Sequence, residues 1–153
     1  MTTFSLQPTQ PLAADGAALT SILQQAGVTK TSLVRVTGPA GPTAVLWLGR
    51  HGYERAAYVY SNRVATMQPA DALLVPHACR TQELADLLGG GGCVREGGVL
   101  VAQTQSERFV PGYDSVSAVL EPLGYQVERR VCDKGRDVYI ARRRGVGGLK
   151  QTA

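Results

Sequence analysis

Two continuous apolar runs with a short amphipathic segment between them constrain the fold of this chain more than any other feature. Asp71 to His77 (DALLVPH) and Gly98 to Thr104 (GVLVAQT) are strand-length and apolar throughout, and Thr81 to Leu88 (TQELADLL) between them has helical spacing. A strand with one face in water alternates apolar and polar residues. One that does not is buried on both faces, which is the condition of parallel strands joined by a helical crossover. The chain is therefore expected to be α/β, with a doubly wound, mostly parallel sheet.

At 153 residues the chain is one domain with room for a single core, and 44% hydrophobic against 18% charged residues describes a globular protein. No apolar run approaches the roughly 18 residues of a membrane span, and Met1-Thr-Thr-Phe-Ser5 lacks the charged and apolar regions of a leader, so a cytoplasmic location without membrane contact is expected. Cys79, Cys93 and Cys132 are odd in number and have no Cys-x-x-Cys spacing. They read as packed thiols, with neither a disulfide framework nor a metal site.

Charge is unevenly placed. Residues 1–128 carry 8 Lys or Arg against 10 Asp or Glu, a net of −2, while residues 129–153 carry 8 against 2, a net of +6. Arg129, Arg130, Lys134, Arg136, Arg142, Arg143, Arg144 and Lys150 can attract nucleic acid or an acidic partner by long-range steering. A solvated strand end with a basic tail accounts for the same charges, and no aromatic residues are interleaved for base stacking.

Along the chain, residues 1–11 read as an irregular arm, 12–144 as one α/β domain and 145–153 as a flexible basic tail. Leu12, Leu19, Ile22, Leu23 and Ala26 predict a helix from Leu12 to Gln25, ending before Gly27. Ser32 to Thr37 reads as a strand running into a Gly-Pro turn, Thr43 to Gly52 as a helix led by Pro42, and Ala56 to Tyr60 as a second strand. Downstream, a helix from Tyr113 to Leu123 precedes two strands, Tyr125 to Cys132 and Asp137 to Arg142, joined by a turn in which Gly135 accepts positive φ. In such sheets the ligand crevice lies outside the carboxyl ends of the strands, near residues 37–41, 61–62 and 76–79.

The order of Asp, apolar strand, Pro-His, helix, Gly-Gly and strand over Asp71 to Thr104 resembles the second half of class I S-adenosylmethionine-dependent methyltransferases. The segments LGYQVERRV and RDVYIARRR are similar to that family's closing antiparallel hairpin. The likeness runs from about Ser32 to Arg143. It implies a Rossmann-like sheet and a cofactor site at the ends of the first two strands, where Gly38, Gly41, Ser61 and Asn62 would bind S-adenosylmethionine and His77 would act as base.

The chain departs from that pattern in three places. Arg35 stands near the acid expected at the end of the first strand, where a cation repels the ammonium and sulfonium groups. The second strand ends in Tyr60-Ser61-Asn62, and no acid follows until Asp71, so the ribose loses a charge-assisted pair. Only residues 62–70 separate that strand from the next, fewer than a helical crossover and a further strand need. The family's third strand is therefore expected to be missing or reduced to a stub at Arg63 to Met67, exposing the second strand as an edge through which a homodimer can form. The leading expectation is a degenerate methyltransferase-like binding or interaction module with no cofactor. An active methyltransferase with a minimal site and a nucleic-acid-associated protein are the alternatives.

Overall fold

The structure, a computed structural model, describes residues 11–60, 68–89, 94–105, 115–133 and 135–144. Its centre is the expected pair of strands. β3 (Ala70–Cys79) and β4 (Val94–Thr104) run parallel, with Leu73 opposite Leu100 and Leu74 opposite Val101. Alternation along each explains the unbroken apolar run. Ala72, Leu74, Val99 and Val101 enter one core layer, while Leu73, Val75, Leu100 and Ala102 enter the other.

The first layer is closed by α1 (Gly16–Gln25) and α2 (Gly41–Arg50), the second by α3 (Thr81–Leu88) and α4 (Ser115–Leu120). Leu84 and Leu88 of α3 are buried and four residues apart, as a helix lying on a sheet requires. The remaining strands are β1 (Val34–Val36), β2 (Ala56–Tyr58), β5 (Tyr125–Asp133) and β6 (Arg136–Arg143). Sheet order is β2-β1-β3-β4-β6-β5, parallel from β2 to β4 and antiparallel through the closing hairpin. The strands run further than the expected ends at Cys132 and Asp137, since Asp133 pairs with Arg136, and Gly135 between them has the expected positive φ, at +78. Among the described residues β2 pairs with β1 alone, so it is an edge, and Arg63 to Met67, where a stub strand was expected, lie outside them.

Several expectations need correction. The first helix is two pieces: a 3-10 turn over Leu12–Ala14, then α1, because Asp15 caps the second by accepting a hydrogen bond from the Ala18 amide at 3.2 Å. The second helix begins at Gly41 rather than Thr43, with Pro42 in its first turn. β4 begins at Val94 rather than Gly98, because its first residue pairs with Ala70 before the register shifts. Asp71 ties this irregular start together, accepting from the Leu33 amide at 2.7 Å and from Arg95 Nε at 2.6 Å. These two donors lower its carboxyl pKa below the usual value.

Two side-chain assignments also change. Arg136, counted from sequence in the basic face, is 2% exposed and donates to Asp15 at 2.9 Å, tying the C-terminal hairpin to the N-terminal helix. Cys132 is exposed rather than packed, its thiol donating to Asp137 at 3.0 Å, while Cys79 is buried as expected and Cys93 lies outside the described residues.

Candidate functional site at the switch point of the sheet

Strand order reverses direction between β1 and β3, and in a doubly wound sheet a crevice opens outside the carboxyl ends of the strands at that point. Here β1 leads through Thr37 into Gly38, and β3 ends at His77 to Cys79. A pocket of about 570 Å³ lies there, bounded by Gly38 and Pro39 on one side and by α3 on the other.

Of the residues expected from sequence, the structure brings Gly38 and His77 into direct contact. Gly38 has φ +102, a conformation that side-chain-bearing residues rarely adopt, and a Cβ built on it would lie 2.1 Å from Cε1 of the His77 ring. The imidazole therefore sits on the backbone of the glycine turn. Gly41 is needed for another reason: its missing Cβ leaves room for the Tyr58 ring, 2.5 Å from where that atom would be. Ser61 and Asn62 lie outside the described residues. Arg35 is half-buried in the middle of β1, between Ala57 and Leu73.

His77 is half-buried, and its Nδ1 is enclosed without a hydrogen-bond partner among the described residues. Burial pushes its pKa below the ordinary 6.5, and the Glu83 carboxylate draws it partly back. The ring is therefore neutral at neutral pH. Cys79, two residues on, is no nucleophile: burial and the same carboxylate push its thiol up to about 11, and the thiol donates to the Gln103 carbonyl at 3.3 Å. Thr37, fully buried, donates its amide to the Leu74 carbonyl at 3.1 Å and leaves Oγ1 without a hydrogen-bond partner among the described residues.

The α3 wall was missed in the sequence. Glu83, Asp86 and Leu87 line the pocket with Leu84. Their spacing of three and four residues places Glu83, Asp86 and Leu87 on one helical face, a signal present in TQELADLL, which was read only as an amphipathic helix. No group of three or more His, Cys, Asp or Glu gathers as metal ligands among the described residues.

The basic C-terminal residues are largely engaged within the fold. Arg130 forms a two-pronged pair with Asp137, at 3.2 and 3.1 Å, and lies 5.5 Å from the centre of the Tyr139 ring. Arg142 reaches Glu128 at 2.6 Å and two carbonyls, those of Gly97 and Ala26, while Arg143 donates to the Val94 carbonyl. Arg129 and Arg144 are exposed, and Lys134 and Lys150 lie outside the described residues. No described helix is long and apolar enough to cross a membrane.

No family model and no curated protein matches the chain. Solved structures do match it. Magnesium protoporphyrin IX methyltransferase from Synechocystis PCC 6803, crystallised with bound SAH, gives a TM-score of 0.61 at 11% identity, over 86% of this chain and 83% of its own. Ribosomal protein L11 methylase from Lactobacillus delbrueckii subsp. bulgaricus gives 0.57 at 12% identity, over 86% and 79%. An O-methyltransferase family protein from Burkholderia thailandensis gives 0.50 at 13% identity, over 92% and 66%. The fold is that of the class I S-adenosylmethionine-dependent methyltransferases. Within this methyltransferase-like fold the space a side chain would take at Gly38 is filled by the His77 ring, and that at Gly41 by the Tyr58 ring.

Proposed function

We propose that this methyltransferase-like domain is a binding module without efficient methyl transfer, using the crevice between Gly38 and α3 for a ligand other than S-adenosylmethionine. The observation that carries the reading is the His77 ring seated on Gly38, where the backbone of a cofactor site would need to be open. The acids point the same way. The first acid after β2 is Asp71, and it is committed at the opposite end of the sheet to Leu33 and Arg95. Losing one charge-assisted pair to the ribose costs about 1.5 to 3 kcal/mol, or roughly one to two decades in affinity.

Isothermal titration with S-adenosylmethionine and S-adenosylhomocysteine tests the reading, the second because a structural neighbour was solved with it bound. No heat of binding up to millimolar concentration is expected, and micromolar affinity for either compound would sink it. The alternative, an active methyltransferase, is favoured by one feature: a neutral, half-buried imidazole lines the pocket, a group suited to accept a proton. Methyl transfer that disappears in His77→Ala would establish it. Pairing of two copies along the β2 edge is a separate proposal, supported by the single strand partner of β2 among the described residues. A monomeric mass in light scattering at micromolar concentration would count against it.

A further inference from the structure

Among the described residues the pocket beside Gly38 is lined by charge of one sign. Glu83 and Asp86 contribute carboxylates to it, and no described lysine or arginine lines it. Asp86 accepts a hydrogen bond from the neutral amide of Gln82 at 3.0 Å, which leaves its charge in place. The field of Glu83 reaches the pocket's inner wall, since it raises the proton affinity of both His77 and Cys79. The rest of the lining is mostly apolar and includes Val75, Leu84 and Leu87. The ring of His77 also lines the pocket, its Nδ1 enclosed against Gly38 without a partner among the described residues.

We propose that this pocket binds a ligand carrying a protonated amine on a compact apolar body, with the ammonium toward Glu83 and Asp86 and the body against Val75, Leu84 and Leu87. The proposal rests on the reading of the crevice as a ligand site and names the class of ligand it takes. A volume of about 570 Å³ is within the range of small-molecule sites, where apolar walls supply most of the contact and a few polar groups set orientation. Anions are disfavoured, because two carboxylates repel them and no cation among the described lining residues compensates. A neutral His77 adds no repulsion toward an ammonium group. Glu83 is exposed, so its charge is partly screened and acts on selectivity more than on total affinity.

Three probes sharing one apolar body separate the contributions: phenethylamine, phenethyl alcohol and hydrocinnamate, titrated calorimetrically into the full chain at neutral pH. The amine is expected to bind about tenfold more tightly than the alcohol, equivalent to about 1.4 kcal/mol, and the carboxylate more weakly than either. Glu83→Gln removes an exposed charge without disturbing the core. It is expected to cut the amine's advantage several-fold while leaving the alcohol's affinity unchanged, with circular dichroism confirming the fold. The proposal is overturned if amine and alcohol bind alike, if the preference persists in a Glu83→Gln, Asp86→Asn double variant, or if none of the three binds at millimolar concentration. None of these titrations involves a nucleoside, so their failure is distinguishable from a failure of the binding-module reading, which the S-adenosylmethionine titration decides.

Discussion

β3 and β4 run for 10 and 11 residues and bury apolar side chains on both faces, whereas β1 and β2 run for three residues each and leave Arg35 and all of β2 only half-buried. The two regions belong to one parallel sheet but do different work. The long central strands carry the two core layers and hold the topology. The short flank shapes the crevice, where Gly38 leads out of β1. The central strands hold the fold while the flank sets the site, which is why fold alone does not assign an activity here.

The largest expected effect tests that division directly. Leu100 is fully buried in β4, and Leu100→Ala should cost about 2 to 5 kcal/mol in urea denaturation. Val59, just past β2 and half-buried, should cost about 1 kcal/mol or less as Val59→Ala. Equal losses would mean that the flank is packed as tightly as the centre, and the contrast would fail.

A smaller effect sharpens the picture of the crevice. Gly38→Ala should destabilise the chain by about 1 to 3 kcal/mol, because alanine is strained at φ +102 and its methyl group would meet the His77 ring. In a His77→Ala background the second cause is gone, and the cost should fall by about 1 kcal/mol in a double-mutant cycle. Additive costs would show that the ring does not rest on the glycine in solution. In that case the turn would be open to a cofactor and the proposed function would lose its main support.

What could be read from the sequence follows the same division. α3 runs from Thr81 to Leu88 as its leucine spacing predicts, and the parallel pairing of β3 with β4 follows from their unbroken apolar runs, because burial on both faces leaves a plain pattern. Gly135 was legible because a hairpin turn favours a glycine where φ is positive. Arg136 was not, since its partner Asp15 lies 121 positions away and nothing local marks the pair. The break at Asp15 had a signal, a good capping residue, but it was submerged in a helical apolar period on either side. The strand ends where the pocket lies were legible, and Gly38 and His77, read separately as cofactor-binding residue and base, both line it. The acidic wall of α3 was not, because a carboxylate facing a pocket and one facing bulk water look alike in a chain of letters.

The smallest expected effect concerns protons on His77. Burial lowers its pKa in the folded chain below the 6.5 of the free side chain, so between the two values the unfolded chain holds more protons than the folded one. Stability should therefore decline as pH falls below about 6.5 and level off once the folded form is protonated too, with no contribution from this residue above that range. Subtracting the pH profile of His77→Gln from that of the wild type removes the groups common to both and isolates the slope. Glu83→Gln should steepen it, because the carboxylate is what draws the imidazole's proton affinity partly back up. A difference profile that is flat would place the ring in water rather than against Gly38. One with the opposite sign would mean that the imidazole is paired with a carboxylate strongly enough to outweigh its burial, and the crevice would then hold a charged histidine that repels an ammonium group.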